Sequence, residues 1–177
     1  MAEPLILVLG GARSGKSRYA EDLAARSGKA VSYIATAGPP RDEEMAARIK
    51  AHIARRPVDW ATLDAPMELA GALQSVDGVA LVDCLTLWLT NVMLEERDVE
   101  GETAALVQAL AARRGPVIAV ANEVGEGIIP ATPLGRRFRD AQGVLNQRVA
   151  GVASGVVKLV AGCPMIVKPR TEPELQL

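Results

Sequence analysis

Residues Gly10-Gly11-Ala12-Arg13-Ser14-Gly15-Lys16-Ser17 carry the pattern G-x-x-x-x-G-K-[ST]. These residue types at this spacing suit one task, gripping a chain of phosphates. Glycines let the backbone fold so that several N–H groups converge on one anion. A helix that starts at the end of the loop adds a partial positive charge. Lys16 then reaches the β- and γ-phosphates, and the Ser17 hydroxyl is placed to hold Mg²⁺.

Other residues with chemistry stand where apolar runs end. Asp83 closes Val79-Ala80-Leu81-Val82. A strand-end carboxylate beside a phosphate loop suits Mg²⁺ or its water, although Asp in this place also caps helices. Thr36 follows Ala30–Ala35, and Asn122 and Glu123 follow Pro116–Ala121. In open parallel sheets the carboxyl ends of strands line the ligand crevice. Nucleotide contact at Thr36, and contact with substrate or metal-bound water at Asn122 and Glu123, stand open beside ordinary turn chemistry. His52 is the sole histidine. It lies at the margin of an apolar stripe formed by Met45, Ile49 and Ile53, and composition alone leaves it a surface or core residue as readily as a catalyst. Arg136, Arg137 and Arg139 suit either phosphate charge or a solvated face.

These groups need elements to position them. Leu5–Leu9 is an unbroken apolar run of buried-strand type, and residues 17–26 have helical composition without Gly or Pro. The pattern predicts further strands over 30–35, 58–63, 79–83, 116–121 and 155–161. It predicts helices over 42–56, 65–75, 85–94, 102–114 and 134–153, with a polar break at 95–101 and a frayed Pro-containing C-terminal tail. The helix over 42–56 begins with acids, ends in Arg55-Arg56 as the macrodipole favours, and is stopped by Pro57. Such alternation implies an α/β phosphate-loop nucleotide-binding fold, with a mostly parallel sheet flanked by helices on both faces. The expected organisation is a single domain over 1–177.

Composition narrows the class. A net charge of −1 argues against an electrostatic nucleic-acid binder. Cys84 and Cys163 lie far apart without metal-type spacing, which favours reduced thiols and a cytoplasmic location. The first apolar run is too short for a membrane span and leads directly into the loop.

Taken together, the motifs resemble the bifunctional adenosylcobinamide kinase/adenosylcobinamide-phosphate guanylyltransferase family of cobalamin biosynthesis. The resemblance rests on Gly10–Ser17, Tyr33-Ile34-Ala35-Thr36, and Asp42-Glu43-Glu44-Met45-Ala46-Ala47-Arg48-Ile49 leading to His52 and Arg56-Pro57. It continues through Asp83-Cys84-Leu85-Thr86, Thr90-Asn91, Asn122-Glu123-Val124-Gly125, Ile128, Pro130, Phe138-Arg139-Asp140 and Asn146-Gln147-Arg148. Order and spacing match over nearly the whole chain.

The resemblance implies two reactions: phosphorylation of adenosylcobinamide by ATP or GTP, then transfer of GMP from GTP through a guanylylated His52. It implies Mg²⁺ supported by Ser17 and Asp83, with Lys16 at the phosphates. The nucleotide site would be lined by Gly10–Ser17, Ala35-Thr36-Ala37, Ile53-Ala54-Arg55-Arg56, Asp64 and Asp83. A corrinoid substrate and a homo-oligomer, in family terms a homotrimer, are implied as well. Departures from the family pattern are Asp83 and Asp64, where Glu is usual, and Ala37 in place of Ser. Two other readings stand beside it: a general phosphate-loop kinase with a structural His52, and a nucleotide-dependent switch or assembly ATPase, although the chain has no Asn-Lys-x-Asp stretch for guanine selection.

Overall fold

The apolar runs assemble into one seven-stranded sheet in the computed structural model, which describes residues 3–40 and 42–169. In chain order the elements are β1 (Leu5–Gly10), α1 (Lys16–Arg26), β2 (Val31–Ala35), α2 (Glu43–Arg55), β3 (Ala61–Asp64), α3 (Leu69–Ser75) and β4 (Val79–Asp83). Then come α4 (Leu85–Leu94), α5 (Val99–Ala112), β5 (Val117–Asn122), α6 (Pro133–Val152), β6 (Gly155–Val160) and β7 (Cys163–Lys168). The sheet order is β3-β2-β4-β5-β1-β6-β7, parallel except for β7, which pairs antiparallel with β6. The chain therefore leaves β1 toward β2 on one side and returns to β6 on the other. The carboxyl end of β1 is a topological switch point, where open α/β sheets bind ligands.

Strands buried on both faces read as continuous apolar runs. Leu7, Ile34, Ala80, Val82, Ala119 and Val156 point to one face, where α3, α4, α5 and α6 pack. Val8, Val31, Tyr33, Leu81, Val120 and Leu159 point to the other, covered by Ala20 and Ala24 of α1. Tyr33 and Leu81 are register partners, and so are Ala35 and Asp83 two residues further on. The two-residue side-chain period thus puts Asp83 on the α1 face with Tyr33. Among the described residues no helix is long and apolar enough to cross a membrane.

Several boundaries differ from the pattern, each for a local reason. Residues 57–60 turn before β3 begins at Ala61, with the Trp60 N–H on the Pro57 carbonyl at 3.2 Å. α3 starts at Leu69 rather than at 65, because the Ala65 N–H extends the pairing to β2 by reaching the Ala35 carbonyl at 2.8 Å. α5 starts at Val99, capped by the Asp98 side chain on the Glu100 N–H, and takes Gly101 inside the helix.

The larger correction is β7. Part of the stretch predicted as a frayed tail is an edge strand, formed by a two-residue turn at Ala161-Gly162, both with positive φ (51° and 82°). Its exposed apolar side chains and Pro164 hid it from the alternation pattern, and an edge strand tolerates both. Residues 170–177, the rest of that predicted tail, lie outside the described residues.

Candidate active site

The phosphate loop runs from the end of β1 into α1. Gly15 caps α1 at φ 93° and Arg13 sits at φ 56°, both in the left-handed region. At Gly10 a side chain is excluded, since an added Cβ would lie 2.4 Å from Ser14 Oγ and 3.0 Å from the Leu159 carbonyl oxygen. The loop is braced from both sides. Glu123 N–H donates to the Gly10 carbonyl at 3.0 Å, and Gly162 N–H of the β6–β7 turn donates to the Ser14 carbonyl at 3.0 Å. Ser14 Oγ is buried without a hydrogen-bond partner among the described residues. Lys16 folds back over the loop, its Nζ donating to the Gly11 carbonyl at 3.0 Å. Burial lowers the Lys16 pKa, and the neighbouring Cys84 and Asp83 only partly offset it.

Asp83 joins this loop to the rest of the site. Its Oδ1 accepts from the Ser17 hydroxyl at 3.4 Å, its Oδ2 accepts from the Tyr33 hydroxyl at 2.6 Å, and His52 Nδ1 lies 3.5 Å from the same Oδ2. Burial alone would raise the Asp83 carboxyl pKa, but the adjacent His52, the Tyr33 hydrogen bond and the Lys16 charge outweigh it and hold the group below the usual range. The same environment pushes the Tyr33 phenol upward, through burial first and then the Asp83 charge. Tyr33 is therefore a neutral donor and Asp83 an ionised acceptor. The peptide bond from Asp83 to Cys84 is cis.

His52 reaches Asp83 because of how α2 is held. Asp42 caps its start by accepting the Met45 N–H at 2.7 Å. At its other end the residue before Pro57, Arg56, turns extended (φ −71°, ψ 139°) and ends the helix. Polar contacts then dock this end. Arg55 Nη2 lies 3.3 Å from Glu21 Oε1 of α1 and 3.3 Å from His52 Nδ1. The Arg56 guanidinium stacks 3.4 Å over the Tyr33 ring centroid.

Of the residues expected at the site, Gly10–Ser17, Asp83, His52, Arg55 and Arg56 come together. Ile53 and Ala54 are exposed on α2. The Thr36 hydroxyl is fully committed to the scaffold: it donates to the Cys84 carbonyl at 2.6 Å and accepts the Cys84 N–H at 2.7 Å. Ala35, Asp64 and Asp83 form one row across β3, β2 and β4, with Ala37 just beyond. Asp64 lines a cavity of about 310 Å³ between β3 and α3, whose wall includes Leu63, Pro66, Met67 and Glu68. Tyr33 and Glu21 were missed as site residues. A Tyr inside an apolar strand run was the available signal, since a buried phenol needs a hydrogen-bond partner.

Ser17 Oγ and Asp83 Oδ1 are hard oxygen donors placed side by side, the donor type Mg²⁺ takes when phosphates complete its shell. The residues present thus fit that ion.

Residues 6–167 match the family model described as cobinamide kinase / cobinamide phosphate guanyltransferase. The chain is 50% identical over 167 residues to the bifunctional adenosylcobalamin biosynthesis protein CobP of Pseudomonas aeruginosa, covering 92% of this chain and 96% of that protein. It is 38% identical over 182 residues to the bifunctional adenosylcobalamin biosynthesis protein CobU of Escherichia coli, covering 93% and 99%. In fold alone it is similar to the RadB recombinase, with a TM-score of 0.52, 20% identity, and coverage of 89% of this chain and 75% of that one.

Proposed function

The chain belongs to the cobinamide kinase / cobinamide phosphate guanyltransferase family, and we propose that it carries out both reactions in sequence. It phosphorylates the aminopropanol hydroxyl of adenosylcobinamide with ATP or GTP. It then transfers GMP from GTP to adenosylcobinamide phosphate, giving adenosylcobinamide-GDP and pyrophosphate.

One observation supports this reading most directly: a single carboxylate, Asp83, contacts both the phosphate-loop serine and the only histidine of the chain. In the first reaction Lys16 and the loop amides bind and orient the phosphates. Ser17 and Asp83 would hold Mg²⁺, which supplies charge neutralisation at the phosphates. In the second reaction His52 is the nucleophile, and an imidazole nitrogen is well suited to that role near neutral pH. Two displacements at the α-phosphorus, the first by His52 and the second by the acceptor phosphate, replace a single direct displacement of pyrophosphate by that phosphate. Arg55 and Arg56, close to His52, offer positive charge to the triphosphate, and Asp64 with the 35–37 segment offers a wall for the base. The functional unit is a homo-oligomer, as a trimer in family terms, which sedimentation velocity would test.

The test uses GTP labelled at the α-phosphate. Acid-labile, alkali-stable label is expected on the protein and is absent in His52→Ala. Label that persists in His52→Ala would remove His52 from the mechanism. Lys16→Ala should depress both reactions, and unchanged phosphoryl transfer in that variant would overturn the phosphate-loop assignment.

A further inference from the structure

We propose that Asp83, held by Tyr33, is the positioning residue that keeps the His52 proton on Nδ1 and so presents Nε2 as the nucleophile; this rests on the reading of His52 above.

The carboxylate divides its two oxygens between two tasks. Oδ1 faces the Ser17 hydroxyl at 3.4 Å, on the phosphate-loop side. Oδ2 faces Tyr33 at 2.6 Å and His52 Nδ1 at 3.5 Å. The short Tyr33 bond fixes the rotation of the carboxylate, and therefore where Oδ2 stands relative to the imidazole. Tyr33 is itself fixed. It is buried between α1 and the sheet, with Arg56 stacked on its ring.

Two groups compete for His52 Nδ1. Arg55 Nη2, at 3.3 Å, is a donor and would require a lone pair on Nδ1. Asp83 Oδ2 is an acceptor and requires a proton there. Asp83 prevails for two reasons. Oδ2 is an acceptor on a side chain only 12% exposed, already oriented by the Tyr33 hydroxyl, so a lone pair facing it would be a desolvated repulsion, whereas an N–H facing it matches donor to acceptor. Arg55 is 40% exposed and already has Glu21 Oε1 within reach of the same Nη2, so it satisfies itself without the imidazole. With the proton on Nδ1, the lone pair lies on Nε2. The hydrogen bond at one ring nitrogen sets which nitrogen reacts.

The chemistry balances on this arrangement. The Nε2 lone pair forms a bond to the α-phosphorus of GTP as the bond to the bridging oxygen breaks, and pyrophosphate leaves with that electron pair. No proton moves. The ring becomes positive while keeping its Nδ1 proton against Asp83. When the acceptor phosphate oxygen then attacks phosphorus, the electron pair returns to Nε2 and the neutral imidazole is restored.

The experiment exploits the chain's single histidine. Full-length protein labelled with ¹⁵N-histidine gives one imidazole, whose tautomer is read from the two ring nitrogens at a pH where the ring is neutral. Wild type should show the Nδ1–H form. Asp83→Asn and Tyr33→Phe should shift the ring toward Nε2–H, the form free imidazoles favour in water, whereas Arg55→Gln should leave it Nδ1–H. In parallel, Tyr33→Phe should lower the rate of guanylylation by roughly tenfold to a hundredfold relative to the kinase rate of the same variant. An Nε2–H ring in wild type overturns the proposal whether or not the variants fold. So does an unchanged ratio of the two rates in Tyr33→Phe. Failure of the parent reading is distinct: wild-type protein would then take no α-phosphate label although its ring is Nδ1–H.

Discussion

The Thr36 hydroxyl donates to the Cys84 carbonyl oxygen over 2.6 Å and accepts the Cys84 N–H over 2.7 Å. This pair of hydrogen bonds between side chain and backbone ties the end of β2 to the residue that follows Asp83. Asn91 adds to the strap by donating from Nδ2 to the Thr36 carbonyl at 2.9 Å. Thr36 is thus a clamp that holds the strand-end carboxylate in place.

Thr36→Val keeps the shape and removes both bonds, leaving the buried Cys84 N–H and C=O without this partner. It should cost about 1–3 kcal/mol of stability, read by urea unfolding. Both activities should fall with it, because Asp83 is the adjacent residue. A variant as stable as the parent would show that the strap is redundant.

Gly10→Ala tests the phosphate loop without changing its charge. The new Cβ would meet Ser14 Oγ at 2.4 Å and the Leu159 carbonyl oxygen at 3.0 Å. The serine can turn away, but the strand carbonyl cannot. Nucleotide affinity should drop roughly tenfold or more, equivalent to about 1.4 kcal/mol, by titration calorimetry. Adding Ser14→Gly should restore only part of it. Full restoration would place the whole clash on the serine and clear the β6 backbone.

Much of the frame was legible because its signals are local. Five of the six parallel strands announce themselves as apolar runs buried on both faces, and the Gly10–Ser17 spacing names its own loop. The site around Asp83 was legible only in pieces. Tyr33 and Asp83 lie 50 residues apart, and they meet because β2 sits beside β4 rather than beside β1. No local pattern encodes strand order. The brace from Gly162 to the phosphate loop was hidden for a different reason. It belongs to an edge hairpin whose Pro164 and exposed face imitate a tail.

The two cysteines should separate cleanly. Cys163 is exposed on β7, whereas Cys84 is buried and its thiol is pushed up to about 11, by burial first and then by the Asp83 charge. At about pH 8 an aromatic disulfide reagent should titrate one thiol rapidly and the second only after unfolding. Two fast thiols in the native protein would contradict the burial of Cys84.

The same groups set an alkaline limit. A thiol whose folded pKa is raised contributes stability that is fully present below its unfolded value, about 8.5, and lost as pH rises toward its folded value. Tyr33, raised in the same direction, adds a loss that begins above about 10. The unfolding free energy from urea titrations should therefore decline from about pH 8.5 upward, with a slope approaching about 1.4 kcal/mol per pH unit for each titrating group. Cys84→Ala should remove the first part of that decline. A decline identical in Cys84→Ala would assign it to other groups.

Under the proposed function, Lys16 trades stability of the empty loop for phosphate binding. Its ammonium is held half-buried on the Gly11 carbonyl, and burial lowers its pKa despite the nearby Asp83 carboxylate. Desolvating a charge for one neutral acceptor is unfavourable when no phosphate is near. Lys16→Met keeps the length and the apolar contacts of the stem while removing the charge. Without nucleotide the variant should be at least as stable as the parent in urea. With nucleotide at about a hundredfold over its Kd the parent should gain about 2.7 kcal/mol by mass action, and the variant almost none at the same concentration. A variant less stable than the parent before nucleotide is added would mean that the ammonium organises the empty loop rather than waiting for its ligand.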